Sequence, residues 1–320
     1  YREVIALSFG AMIGWSWVVM SGTWIMNAGS LGAVSAFLVG GCVVLLVGLT
    51  YAELASAMPV AGGEHTYSHR ALGSTASFVC TWSILFGYVS VVSFEAVALP
   101  TVVEYILPNL NHGYLWTILD WDVHTSWVMV GVIGAFLVSL INIMGIKTAA
   151  KIQLLVTGMI LIGGFILVMG ASKTGQIGNM KPFFQNQSQG FLSVLMMVPF
   201  MFVGFDVIPQ AAEELKISFN RIGHTIILSI LMAITWYILI ILAISLSLDR
   251  QFIFSSKLPA ADAATFLFDS RLMGNLLVIA GIGGLLTSWN AFLIGGSRAI
   301  YAMAVAGQLP SFLSHLHPKY

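Results

Sequence analysis

Charged residues are missing from the whole stretch between Glu3 and Glu53, and long uncharged runs of this kind recur to the end of the chain. About 20 apolar residues are needed to cross roughly 30 Å of hydrocarbon. The first stretch is long enough for two crossings joined by a turn at Asn27, Ala28, Gly29 and Ser30. Further runs cover Ala71 to Phe94, Val123 to Ile146, Ile152 to Ser172, Pro182 to Phe205, Ile222 to Leu248 and Leu272 to Ser297, which makes eight expected spans. Of the 320 residues 58% are hydrophobic and only 8% charged, with a mean hydropathy of +0.93. A soluble domain of this size does not carry so few charges, so the chain reads as an all-α membrane protein whose solvent is the lipid bilayer.

The 13 basic and 13 acidic residues cancel, so there is no basic field that would attract a nucleic acid. Lysines and arginines collect on the cytoplasmic side of membrane proteins. With the first residue inside, Arg2, Arg70, Lys147, Lys151, Lys216, Arg221, Arg298 and Lys319 lie inside. Lys173, Lys181, Arg250, Lys257 and Arg271 lie outside, and the loop between spans three and four carries Asp120 and Asp122 without a basic residue. Both ends of the chain are therefore expected on the cytoplasmic side of a cell membrane. The two cysteines, Cys42 and Cys80, fall inside spans and suggest neither a disulfide nor a metal site.

Two spans carry interruptions for which a plain anchor has no need. The first contains Gly10, Ala11, Met12, Ile13, Gly14, Trp15 and Ser16. Its two glycines, four apart, also fit a small-residue contact between helices. The sixth contains Pro199, Phe202, Val203, Gly204, Phe205, Asp206 and Pro209, a composition that makes a continuous helix costly. Spans one and six run in opposite directions, as expected of an inverted repeat, with residues 1–175 forming the first half (spans one to five) and 186–320 an incomplete second half. In such proteins solute binds where two discontinuous helices meet near the bilayer midplane.

Three stretches stand out: Tyr51, Ala52, Glu53, Leu54, Ala55 with Met58, Pro59, Val60, Ala61, Gly62, Gly63, Tyr67 and Arg70, Ala71, Leu72, Gly73; Phe202 to Asp206 with Ala212, Glu213, Glu214; and Arg298, Tyr301, Ala302, Met303, Ala304, Gly307, Leu309, Pro310 with His317, Pro318, Lys319. Together they resemble the amino acid, polyamine and organocation (APC) transporter superfamily. The resemblance covers nearly the whole chain in family order. It implies an amino acid permease with the LeuT-type five-plus-five fold, helices 1 and 6 discontinuous, and ten core spans, of which this chain would lack the last two. The chain departs from the family at Trp15, where Gly14, Trp15, Ser16 stand in place of two glycines flanking a small residue. Anion capture by the start of the outer half-helix remains available there.

Break and resemblance together assign solute binding to Ile13, Gly14, Trp15, Ser16, Phe202, Gly204, Phe205 and Asp206. Asp206 is a carboxylate at mid-membrane depth, which marks function by default, although capping the outgoing half-helix is an equal use for it. Glu95 follows 24 uncharged residues, shares a helix face with Tyr88 and lies toward the outer end of span three. An interfacial, snorkelled charge is one reading, and amine or proton binding the other. If both acids face one cavity, a cationic solute is favoured. Trp289 and Phe200 are further aromatics beside the site, and Phe202 is the best gate by the family pattern.

All seven histidines lie in loops or near span edges, so a mid-membrane histidine relay is not expected; His65 and His69 lack the order of a zinc protease motif. Asn186, Gln187, Ser188 form a chance-level glycosylation sequon. No organic cofactor is implied. For the coupling ion, Thr287 and Ser288 with Gly284 resemble the span-eight part of the sodium site of the LeuT-type fold, with carbonyls of Gly10 and Ile13 completing it. Sodium is favoured over a proton because the lysine that proton-coupled relatives carry in mid-span five is missing from Ile152 to Ser172. Ordinary back-bonding of the two hydroxyls to their own helix is the other reading.

The function expected is therefore a secondary active transporter for amino acids or small amines, not an enzyme. A transporter-like solute sensor without flux, or a non-transporting truncated remnant, are the rival readings.

Overall fold

The computed structural model describes residues 2–107, 111–118, 121–215 and 218–316. Asp120, Lys216, His317, Pro318 and Lys319, which entered the orientation and family arguments above, lie outside them, as does the side chain of Lys147. Fourteen α-helices are described: α1 (Arg2–Met12), α2 (Ser16–Val19), α3 (Ser21–Ala28), α4 (Ser30–Ala57), α5 (Glu64–Leu72), α6 (Ser74–Ile106), α7 (Thr125–Ile143), α8 (Ile146–Thr174), α9 (Gln187–Met201), α10 (Val207–Gln210), α11 (Phe219–Ser247), α12 (Arg250–Ser255), α13 (Pro259–Phe268) and α14 (Arg271–Val305). Six of them, α4, α6, α7, α8, α11 and α14, are long and apolar enough to cross a membrane. The first and sixth expected spans are not among these six because each is cut into shorter helices, α1 to α3 and α9 with α10.

One element departs from the all-helical expectation. A hairpin of β1 (Tyr114–Ile118) and β2 (Trp121–His124) pairs antiparallel, Tyr114 opposite His124 and Ile118 opposite Trp121, with a bulge near Trp116. Alternating aromatic and β-branched residues favour strands here, and they delay the fourth span, expected from Val123, until Thr125. The third and eighth spans, in contrast, overrun their expected ends and continue to Ile106 and Val305. Helix propagation does not stop where the uncharged run stops: Glu95 is carried inside α6 and Arg298 inside α14.

α14 is the hub. Its most apolar window is 78% buried within the protein, against 22% for α6 and for α7, which present most of theirs outward. It packs on α1, α6, α8 and α13, while α4 and α11 lie against each other and close the opposite flank. The short α5 is tied to the same core at one end of the molecule, and the β hairpin marks the other end. Arg298 reaches across the α5 end to Glu214, the Nε to Oε1 distance being 2.7 Å.

The candidate solute site at two helix breaks

α1 ends at Met12 and α2 starts at Ser16, so Ile13, Gly14 and Trp15 lie outside regular helix, as the sequence spacing predicts. Ile13 and Trp15 are buried, whereas Gly14 and Ser16 remain partly accessible. The Trp15 ring turns away from the break and fills the surface of α14 at Gly281. It also lines a cavity of about 1080 Å³ at the hairpin end, together with Glu104, Asp262, Lys257 and Arg271. Trp15 thus stands as a wall between this cavity and the break.

The second interruption runs from Phe202 to Asp206, between α9 and α10. Pro199 lies just inside the end of α9, where the missing N–H weakens the ladder. Gly204 follows with φ at +128°, a conformation that side chains with a Cβ rarely adopt. Any Cβ there would lie 2.6 Å from Ala11 Cβ and 3.0 Å from the Met12 nitrogen. The two breaks therefore touch, Gly204 against the end of α1. Phe202 is fully buried, its ring 5.6 Å from that of Tyr237, and Phe205 meets Tyr51 edge to face at 5.4 Å. Phe200, an aromatic expected beside the site, is 75% exposed on the outer surface.

Asp206 does not cap the outgoing half-helix. It occupies the N-cap position of α10 without a capping bond; instead Oδ1 accepts the Gly204 N–H at 3.0 Å and Oδ2 accepts the hydroxyl of Tyr88. The carboxylate pins the turn, and Tyr88, buried against Phe292 of α14, ties that turn to span three.

Glu95 requires a correction. It is not interfacial: α6 runs on well past it, and its side chain is only 2% exposed. Oε1 accepts the Ser288 hydroxyl at 2.5 Å, and a Cβ on Gly14 would lie 3.0 Å from the same oxygen. Its second oxygen, Oε2, is buried without a hydrogen-bond donor among the described residues. Both acids singled out in the sequence thus stand at helix breaks, Asp206 at the second and Glu95 at the first.

The adjacent hydroxyls of α14 diverge. Thr287 Oγ1 lies 2.9 Å from the carbonyl oxygens of Gly10 and of Gly284, so back-bonding to its own helix and reaching across to α1 are both realised. Ser288 is turned to Glu95. A Cβ on Gly284 would fall 2.9 Å from the Ile13 oxygen, so that carbonyl packs against the same residue of α14. Of the five residues expected to hold sodium, Gly10, Gly284 and Thr287 are joined at the Thr287 hydroxyl, Ile13 lays its carbonyl against Gly284, and Ser288 is engaged elsewhere. Trp289 is buried on the opposite side of α14, against Gly134 of α7.

Several polar residues not singled out in the sequence reading complete the surroundings. The Tyr237 hydroxyl lies 2.8 Å from the Met12 oxygen and 3.1 Å from the Met201 oxygen, at the ends of α1 and α9. Gln153 donates from Nε2 to the carbonyls of Ala6 (3.3 Å) and Thr287 (3.2 Å), and its Oε1 accepts from Asn290 at 2.8 Å. Glu64 meets Gln210 at the end of α10. The signal that would have found Gln153 and Tyr237 is plain: a polar group inside an uncharged run must find a partner within the protein.

A multi-pass helical membrane protein, with two broken helices touching and carboxylates at each break, is the class that fold and site define. The amino acid permease family profile matches residues 3–318, and the chain belongs to that family, part of the APC superfamily. The chain is 25% identical over 326 residues to the branched-chain amino acid permease BcaP of Bacillus subtilis, covering 99% of this chain and 69% of that protein. It is 27% identical over 334 residues to the amino-acid permease RocC of the same organism (99% and 68%). The chloroplastic cationic amino acid transporter 9 of Arabidopsis thaliana matches at 25% identity over 327 residues (99% and 56%). These relatives are transporters, not enzymes. Among solved structures, Mhp1, a nucleobase-cation-symport-1 family transporter in a closed conformation with bromovinylhydantoin bound, superposes with a TM-score of 0.56. The match has 13% identity and covers 95% of this chain and 66% of that one, so the fold is shared.

Proposed function

We propose that this chain forms the core of a secondary active transporter that carries an amino acid or small amine across the cell membrane by alternating access. One observation carries the reading: the ends of α1 and α9 meet at Gly204, with Asp206 at one break and Glu95 at the other. A carboxylate at this depth costs at least a few kcal/mol unless it is paired or hydrated. Two such groups beside the same pair of breaks suit a solute that brings an ammonium, and the backbone around Gly14 to Ser16 suits its carboxylate. A cationic amino acid is favoured over a neutral one on the same ground.

In this reading the chain crosses the membrane eight times, residues 1–175 forming the first inverted half and 186–320 the incomplete second. The α5 end faces the cytoplasm, in keeping with Arg2, Arg70 and Arg298 there, and the cavity floored by Trp15 faces outward. The path is then closed on the cytoplasmic side by the Arg298 and Glu214 pair, by Tyr51 against Phe205, and by Glu64 on Gln210.

Sodium coupling is supported by the Gly10 and Gly284 carbonyls meeting at the Thr287 hydroxyl, with the Ile13 carbonyl packed on Gly284, a donor set that suits a hard cation. The unpartnered Glu95 Oε2 favours a second reading, in which Glu95 carries a proton instead. Full-length protein in liposomes separates the two. Uptake that rises with an inward sodium gradient and falls in Thr287→Ala supports sodium, and uptake that follows the pH gradient alone and is lost in Glu95→Gln supports the proton. Binding of amines in a thermal-shift screen without any flux would make the protein a sensor. Binding of sugars or nucleobases and no amine would overturn the substrate class.

A further inference from the structure

The N-terminal turn of α5 docks on the last turn of α10. Gly62 donates its backbone N–H to the Gln210 carbonyl at 3.2 Å, and Gly63 is seated on Pro209. Inside that joint the Gln210 side-chain amide donates from Nε2 to Oε1 of Glu64. Two oxygens of the same two groups, Glu64 Oε2 and Gln210 Oε1, are buried acceptors without a donor among the described residues. Such a pair cannot be completed by rotating the amide, because an amide and a carboxylate together hold too few protons. One added proton completes it: a carboxylic acid and a primary amide form two complementary hydrogen bonds, N–H to C=O and O–H to C=O.

We propose that Glu64 and Gln210 form a proton-binding latch, in which a proton on Glu64 Oε2 is shared with Gln210 Oε1, holds the α5 side of the path shut, and passes to water on that side when the path opens.

The surroundings favour the neutral acid. Glu64 is only 5% exposed, and the titratable groups facing it are Tyr51 from α4, Tyr67 from α5, Cys80 and Tyr88 from α6, and Asp206 ahead of α10. None brings a positive charge. The nearby cation Arg298 is engaged by Glu214, and the His65 ring faces Gln308. Burial first, and the Asp206 charge second, push the Glu64 carboxyl well above the usual carboxylate range. The closed state therefore holds a proton that a hydrated Glu64 would release. Linkage then fixes the sign: closure is favoured below the raised value and weakens as the pH on the α5 side climbs through it. Because Gln210 closes the same short helix that Asp206 opens, separating the latch frees the inner side of the solute site.

The location of the proton stands on the joint itself; its release on opening rests on the transport reading. Infrared difference spectra of the full-length protein in lipid at neutral pH test the first part. The expected result is a protonated-carboxyl band that is lost in Glu64→Gln, which keeps a second amide able to pair with Gln210. In Gln210→Met the band should persist but shift, its acceptor gone; this variant serves also if Glu64→Gln does not fold. Folded variants with no change in that band would overturn the proposal. For the second part, uptake should depend on internal pH in the wild type and become flat in Glu64→Gln. Retention of the wild-type pH dependence in that variant would overturn the latch. A protein that shows the band but moves no amine would refute the transport reading and leave the proton site standing.

Discussion

The hydroxyl of Tyr237, on α11, lies 2.8 Å from the carbonyl oxygen of Met12, the last residue of α1. The same hydroxyl is 3.1 Å from the Met201 oxygen at the end of α9, and Ser16 lies 3.4 Å from it on the far side of the first break. One phenol thus serves the carbonyl ends of both broken helices, where α-helices leave acceptors without intrahelical partners. Its ring is held by Phe37, Trp24 and Phe202, so the hydroxyl has little freedom to move elsewhere.

Tyr237→Phe keeps that ring packing and removes only the donor. Two carbonyls at the breaks are left without it, and a buried unsatisfied group costs about 1–3 kcal/mol. The expected outcome is a lower melting temperature for the purified protein and weaker solute binding, with uptake reduced about tenfold or more. A variant as stable and as active as the wild type would show that Tyr237 does not organise the breaks.

Gly204→Ala should be far more damaging than Gly14→Ala. At Gly204 a Cβ meets the strained φ of +128° and the backbone of α1, 2.8 Å from the Ala11 carbonyl carbon. At Gly14 it meets the Glu95 carboxyl at 3.0 Å and the Ser288 hydroxyl at 3.4 Å, side-chain atoms that can give. The first variant is expected to fold poorly and show no uptake. The second should fold, with altered affinity for its solute. Equal loss of folded protein in both would contradict this ranking of the contacts.

Much of this architecture was legible in the sequence because lipid enforces it. The uncharged runs fix the long helices, and glycine, proline and Asp206 within a span mark where a helix cannot continue. The β hairpin was hidden because its strands are short and lie in a connection between spans, where no membrane constraint applies. The end of the uncharged run does not tell an interfacial Glu95 from a buried one, because Ser288 gives the acid a buried partner that only tertiary contact supplies. Glu64 is hidden for the same reason: by sequence it sits in a loop, and its burial and its bond to Gln210 come from tertiary packing.

His65 gives a pH response opposite in sign to that of Glu64. Burial lowers its pKa, and the 3.0 Å contact with Gln308 opposes that shift in part. A base whose folded value is depressed adds stability that is present above its ordinary value and lost as the pH falls. Docking of α5 should therefore loosen on acidification through the imidazole range. Hydrogen exchange of α5 amides, corrected for the intrinsic pH dependence, should rise there in the wild type and much less in His65→Gln. Protection that is unchanged across that range would remove His65 from the joint.

The last expectation concerns the buried amides that join four helices. Asn142 of α7 donates to Asn290 of α14 at 2.9 Å, Asn290 donates to Gln153 of α8 at 2.8 Å, and Gln153 donates to Ala6 of α1 and Thr287 of α14. Each member is satisfied by the next, so removing one strands its neighbours in a place water does not reach readily. Gln153→Leu alone leaves the Asn290 amide short of a partner, whereas the Ala6 carbonyl, inside α1, keeps the Thr157 hydroxyl at 3.3 Å. The expected cost is about 1–3 kcal/mol for each stranded group. Asn290→Leu alone strands Gln153 Oε1 in the same way, while the Asn142 amide keeps the Val138 carbonyl at 2.9 Å. In the double variant the two losses overlap, because the bond between them is counted once, so the combined destabilisation should fall short of the sum by about 0.5–3 kcal/mol, the range for residues in one network. Denaturation of the four proteins in the same detergent measures that shortfall. Strict additivity would mean that Gln153 and Asn290 act independently, and the chain of amides would then not be what holds α1 to α8 and α14.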